Sequence, residues 1–243
     1  MMWLRQLKRY WRSKARMFGS LAQPVLFLVA LGYGFGPIFE KAGGGNYMQF
    51  LAPGIISMAI LFTSMFNGID LIWDRQFGFL KETMVAPVPR YRIMIGRTLG
   101  GATISMIQGI IVLIISLFIG FHIANLWLLP LALVFMFLIA FLFTAFGTAI
   151  ASRLEDASAF PLIINFIIMP LFFLSGALFS LAELPGALKL VTTLNPLSYG
   201  VDGVRGALDG IFQLGIYADL TVLIVVIAIV MVVTTYLFNK MEV

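Results

Sequence analysis

Six long apolar runs constrain this chain more than anything else in it. They cover 17–38, 50–73, 96–120, 126–152, 157–181 and 217–238 of its 243 residues. A helix that crosses the hydrocarbon core needs about 20 apolar residues, and none of the runs alternates as a barrel strand does. Backbone groups in hydrocarbon must bond internally, so the runs are read as helices. Composition agrees, at 61% hydrophobic and 11% charged, against about half apolar and a quarter charged for a soluble domain. The expected fold is an all-α integral membrane protein, one domain over 1–243 with six transmembrane helices and no room for a soluble catalytic domain. The first run is longer than the roughly 7–15 residues of a signal-peptide core and no clear cleavage site follows it, so it is expected to stay.

Charge sets the expected orientation. Arg5, Lys8, Arg9, Arg12, Lys14 and Arg16 precede the first run; Arg75, Lys81, Arg90, Arg92 and Arg97 fall in the second connection, Arg153 in the fourth, and Lys240 at the end. That is thirteen cations on one side against Lys41, Lys189 and Arg205 on the other. The positive-inside rule then places both termini in the cytoplasm, as an even number of spans requires. The short connection at 121–125 makes spans three and four a hairpin.

Four segments carry candidate function. In 1–16, Trp3, Leu4, Leu7, Tyr10, Trp11 and Ala15 share one helical arc, opposite Arg5, Lys8, Arg9, Arg12 and Arg16. Such a helix suits the headgroup layer, either as a topology anchor alone or with a mechanical role. The link 74–92 is helix-compatible through Phe79, Leu80, Lys81, Glu82, Thr83, Met84 and Val85, then stops at Ala86-Pro87-Val88-Pro89, before Arg90. It is either a knob displayed to a partner or a segment packed on the chain's own spans. The link 182–210 is too apolar for a solvated loop and predicts two short helices dipping into the outer leaflet. The second would start at Asn195-Pro196, with Asn as N-cap and Pro at the first position, and would carry Tyr199, Asp202 and Arg205. Asp202 and Arg205 at i,i+3 can pair with each other or meet a substrate. Within the spans, Asn67, Asp70, Gln108 and Asn165 are candidates for a pathway. The alternatives are helix–helix hydrogen bonding for the three amides and simple solvation for Asp70. Gln23-Pro24 reads as a kink.

Several chemistries are excluded. The chain has no Cys and one His, His122, so thiolate sites and multi-His metal sites are out, and the redox compartment is unmarked. No P-loop and no G-x-S-x-G elbow occur, so no catalytic residue, metal site or nucleotide site is expected here. No internal repeat suggests an inverted-repeat transporter.

Taken in order, Phe50-Leu-Ala-Pro-Gly54, Phe77-Gly-Phe-Leu-Lys-Glu82 with Ala86-Pro-Val-Pro-Arg90, Gly96-Arg97, Leu174-Ser-Gly-Ala-Leu-Phe179 and Asn195-Pro-Leu-Ser-Tyr-Gly-Val-Asp202 with Arg205 resemble the permease subunits of type-2 ATP-binding-cassette exporters. That group includes daunorubicin-resistance and polysaccharide or nodulation-factor export permeases. The resemblance implies an interfacial helix with Trp3, Leu7, Arg9, Trp11 and Arg12. It implies a coupling helix docked on a separate ATPase through Phe79, Leu80, Glu82, Thr83, Val85, Ala86, Pro87 and Arg90. It also implies an outer cap with Asn195, Pro196, Tyr199, Asp202 and Arg205. The expected assembly is two permease copies, identical or related, with two P-loop ATPase subunits that hold ATP and Mg, in the plasma membrane of a prokaryote. Membrane lipids are expected partners and nucleic acid is not. The expected activity is export of a drug-like, lipid or glycan substrate; the alternative is a self-contained channel or scaffold. Where the family often has Arg-Glu before the glycine, this chain has Arg75-Gln76-Phe77-Gly78, which favours Glu82 over Gln76 as an ATPase contact.

Overall fold

The computed structural model describes residues 2–41, 45–85, 88–179 and 185–241. These residues form eleven α-helices: α1 (Met2–Arg12), α2 (Lys14–Lys41), α3 (Tyr47–Phe66), α4 (Ile69–Gln76), α5 (Phe79–Val85), α6 (Arg90–Ile119), α7 (Leu129–Ala151), α8 (Ala159–Phe173), α9 (Gly186–Leu194), α10 (Pro196–Asp209) and α11 (Ile216–Asn239). A 3-10 turn, Leu126–Leu128, leads into α7. The protein is an all-α membrane protein, and no strand occurs among the described residues. Five stretches are long and apolar enough to cross a bilayer: Met17–Phe39, Tyr47–Gln76, Arg90–Ile119, Leu126–Ala151 and Ile216–Asn239.

The sixth span is shorter than its apolar content predicts. Instead of 157–181, α8 is 15 residues, which is about 22 Å of helix against a core of about 30 Å. Pro170 lies in its last turn and Gly176 turns the chain at φ 74°, so 174–179 folds back into the protein. Residues 180–184, the rest of the expected span and the start of the expected cap, lie outside the described residues, as do Ala86 and Pro87.

Other boundaries move for local reasons. The expected 1–16 helix stops at Arg12 because Ser13 breaks it, and Lys14 already belongs to α2. The side chains of Ala15 and Arg16 lie outside the described residues. Span two, expected unbroken over 50–73, is α3 and α4 separated by a turn at Asn67–Gly68. Only glycine fits there: a Cβ on Gly68 would stand 2.4 Å from the carbonyl oxygen of Gly147 in α7. Pro89 caps α6, which starts at Arg90 rather than Gly96, so Arg90, Arg92 and Arg97 sit on a helix and not in a loop. Helix α2 runs on through Pro24 and Pro37.

Helix α3 is the buried axis, packed by α2, α6, α7 and α10. Its apolar side chains, with Phe135, Ile139 and Phe143 of α7 and Val201 and Val204 of α10, make the core. Helices α2, α8 and α11 expose most of their apolar surface, as lipid-facing helices do. The N-terminal helix, α4–α5, and the ends of α6, α7 and α11 near 90–97, 152–158 and 239–241 lie at the end that carries most of the cations. The 121–128 link, α9 and α10 lie at the opposite end.

Candidate functional site

At the basic end, the amphipathic α1 is fastened by polar contacts rather than merely resting on a surface. Tyr10 is buried, and its hydroxyl accepts from the Gln108 side-chain amide of α6. The same amide donates to Ser20 Oγ at 2.6 Å and to the Met17 carbonyl at 3.2 Å. Gln108 is therefore buried and joins α6 to both α1 and α2. Trp3 Nε1 donates to Thr103 Oγ1 at 2.9 Å, while Trp11 and Leu4 remain exposed; Leu7 is partly buried.

The cations of α1 do not all face water. Arg5 reaches Asp74 at 2.8 Å, and Arg9 lies 3.4 Å from Asp74 and 3.8 Å from Asp70. Arg97 meets Asp74 from α6 at 2.9 Å with only 3% of its side chain exposed. Arg97 is thus a buried ion-pair partner and not a cation of the loop. Asp70, expected to be either solvated or a pathway group, is buried in this same cluster. The arrangement ties α1, α4 and α6 through two carboxylates. It extends to the next helix, because Arg5 stacks over Phe79 at 5.3 Å, while Arg9 lies 5.7 Å from the Trp73 ring.

Helix α5 splits the residues expected on a partner. Leu80 is 1% exposed and packs into the chain's own core, so for Leu80 packing on the chain's own spans is what occurs. Val85 is 84% exposed, Phe79 and Phe77 are exposed, and so is Glu82. Thr83 turns its hydroxyl back to the Phe79 carbonyl at 2.9 Å. Arg90 donates to the Asn239 carbonyl at 2.8 Å, closing the end of α11. Gln76 donates to the Glu155 carbonyl at 3.1 Å, an intramolecular role. Between α1 and α5 lies a cleft of about 970 Å³, lined by Leu4, Arg5, Lys8, Arg9, Arg12, Asp74, Phe77 and Phe79, with Asp74 already engaged by Arg5, Arg9 and Arg97.

On the other flank of α1, a chamber of about 380 Å³ opens between α2, α3 and α4. Phe62, Phe66, Pro24 and Trp73 supply apolar walls, and Ser20, Gln23, Thr63 and Asn67 supply polar ones. Asn67 also donates to the Gly101 carbonyl at 3.0 Å and to Ser105 Oγ at 3.2 Å, so it both lines the chamber and joins α3 to α6. Asn165 is far from it in the fold, exposed on α8 beside Leu162 and Phe166.

At the opposite end, Asn195 caps α10 by accepting from Leu197 N at 3.0 Å and donates to the Leu171 carbonyl at 2.7 Å. Pro196 takes the first helical position, and Tyr199 staples α10 to α9 through the Thr193 carbonyl at 2.9 Å. Asp202 and Arg205 share the helix but do not form an ion pair with each other. Asp202 accepts from the backbone of Gln213 (3.0 Å) and Leu214 (2.7 Å). Arg205 donates to the carbonyls of Gly176 (3.0 Å), Ala177 and Phe50, and its guanidinium lies 4.0 Å from the Phe50 ring centre. In a cap built from irregular chain, backbone groups needing partners outcompete the side-chain pair. Two residues enter only with the structure. Gln49 joins α3 to the Asp209 carboxylate at 2.8 Å and to His122, and Asp219 is buried beside Asp202. The available signal for Asp219 is an acid inside the apolar run 217–238; Gln49 carries none.

The profile of the ABC-2 type transporter family matches residues 1–208. The chain is 30% identical over 234 residues to the inner membrane transport permease YadH of Escherichia coli strain K12, covering 93% of this chain and 88% of that protein. It is 26% identical over 230 residues to nodulation protein J of Rhizobium leguminosarum bv. viciae, covering 93% and 87%.

Proposed function

Because the chain belongs to the ABC-2 type transporter family, we propose that it is the permease of an ATP-driven exporter, worked by a separate ATPase. The observation that carries this reading is the Arg5–Arg9–Asp70–Asp74–Arg97 cluster, set directly behind a helix that displays Phe79, Glu82 and Val85. An ATPase seated on α5, with the cleft between α1 and α5 receiving an acidic element of it, would move α5, α4 and α1 together. The cluster hands that motion to α6 and, through the Asn67–Gly68 turn, to α3. ATP and Mg belong to the partner. In this reading the basic end is cytoplasmic, both termini lie there, and the membrane is a prokaryotic plasma membrane.

The chamber beside α1, apolar with a polar margin, suits an amphiphile taken from the inner leaflet, whether drug-like, lipid or lipid-linked glycan. Asn165 is exposed on a membrane helix, where an unsatisfied amide is costly. A second permease copy covering α8 would satisfy it, and substrate would pass between the two copies under the α9–α10 cap. The test is co-purification. Tagged wild-type chain should bring down a P-loop ATPase whose hydrolysis responds to substrate; Val85→Asp should insert normally and lose that response. A Val85→Asp chain that stimulates hydrolysis like wild type refutes docking on α5.

A further inference from the structure

The loop after α7 carries one cation that force transmission leaves unused. Arg153 is exposed and makes no side-chain hydrogen bond or ion pair among the described residues. Its acidic neighbours are engaged elsewhere. Glu155 faces Arg75 at 3.6 Å, and Asp156 accepts from both the hydroxyl and the backbone N–H of Ser158 at 2.7 Å. Arg153 stands at the rim of a groove of about 470 Å³ between α7 and α11, walled by Phe146, Ala149, Ile229, Val233 and Leu237. From Ile229 to Leu237 the helix rises about 12 Å, most of one leaflet's share of a core about 30 Å thick. Positive charge gathers at the same end of α11: Lys240 sits over the Tyr236 ring at 4.7 Å, and Arg90 holds the Asn239 carbonyl.

We infer that this groove binds one anionic phospholipid, its acyl chain along the α7–α11 walls and its phosphate on Arg153. The walls alone would accept any lipid tail. Selectivity comes from the guanidinium, whose planar fork matches a phosphate and which forms no ion pair among the described residues. Lys240 adds charge without competing for the site. A basic group between transmembrane helices at headgroup depth is the arrangement that reads anionic headgroups. A second copy of this chain also fits the apolar walls, but the membrane offers tail and phosphate in one molecule, and the experiment separates the two occupants. Bound there, the lipid would brace α11 against α7 at the end where α6 and α11 are already tied by Arg90.

The experiment is native mass spectrometry of the full chain released from vesicles of equimolar phosphatidylglycerol and phosphatidylcholine. Wild type should retain phosphatidylglycerol in preference, by about fivefold for a single interfacial cation. Arg153→Gln should lose about that factor of preference, keeping at most what Lys240 contributes and still retaining some lipid of both kinds, and Arg153→Lys should keep more of it. Val233→Phe, which fills the groove from a position open to lipid, should lose retained lipid of both kinds. Added inorganic phosphate should not displace the lipid, because the tail supplies much of the binding. An unchanged preference in Arg153→Gln overturns the proposal. So does full retention in Val233→Phe, or a chain-to-chain disulfide from Val233→Cys, which would give the groove to a second copy.

Discussion

Replacing Asp74 by alanine should be far more damaging than its place near the membrane surface suggests. Its carboxylate serves three arginines, but unequally. Arg5 and Arg9 keep 41% and 39% of their side-chain surface exposed, so each of those pairs is worth about 0–1 kcal/mol. Arg97 is 3% exposed, and its pairing with Asp74 at 2.9 Å leaves two other guanidinium nitrogens buried without partners. Removing Asp74 leaves that buried charge with no ion-pair partner and only the more distant Asp70 for compensation, and breaking a buried pair from one side costs about 3–5 kcal/mol. The expected loss for Asp74→Ala is therefore about 3–5 kcal/mol, set almost wholly by Arg97, while Arg5→Ala loses about 1 kcal/mol or less. The assay is equilibrium unfolding in mixed micelles, followed by tryptophan fluorescence. Adding Arg97→Met to Asp74→Ala removes the stranded charge, so the double variant should be at least as stable as Asp74→Ala alone. Equal losses for Asp74→Ala and Arg5→Ala, or strict additivity in the Asp74–Arg97 cycle, would refute the reasoning.

Three further outcomes follow from the same geometry. Leu80→Asp should destabilise the chain by several kcal/mol in the same unfolding assay, because it buries an unpaired carboxylate, whereas Val85→Asp should change stability by less than about 0.5 kcal/mol. At matched expression, Asp202→Ala and Arg205→Ala should each impair transport, and the charge-swapped double variant should not recover, since each side chain serves backbone groups; recovery would restore the direct-pair reading. Tyr199→Phe should cost about 1 kcal/mol, one net hydrogen bond, and a loss near zero would show that the α9–α10 staple contributes nothing.

The long elements were legible because solvent chemistry leaves no choice: a 20-residue apolar run either spans a bilayer or aggregates. The Asn195-Pro196 start of α10 was equally plain, since both residues signal locally. What sequence could not supply were distances across the bundle. Asp74 and Arg97 lie on opposite flanks of one connection, where each reads as an ordinary interfacial charge, and only the folded bundle, with α1 lying on α6 and α4 on α7, brings them to 2.9 Å as a buried pair. The shortness of α8 was hidden because 174–179 carries no charge and continues the apolar run beyond the helix. Leu80 and Val85 are alike in hydropathy; the turn at Gly78 (φ 76°) decides which of them faces inward. Asp202 and Arg205 stand at pairing distance on any helical wheel, yet a cap full of irregular backbone presents them with better partners than each other.

The claim that a separate ATPase drives this permease through α5 is tested most directly by flux. The chain, alone or with the P-loop ATPase that co-purifies with it, is reconstituted into vesicles loaded with a labelled amphiphile, and transport is followed with and without ATP and Mg. Transport should need both chains and nucleotide, and Val85→Asp should abolish it while leaving insertion intact. Equal flux from the chain alone, without nucleotide, would contradict the account and mark the protein as a self-contained channel.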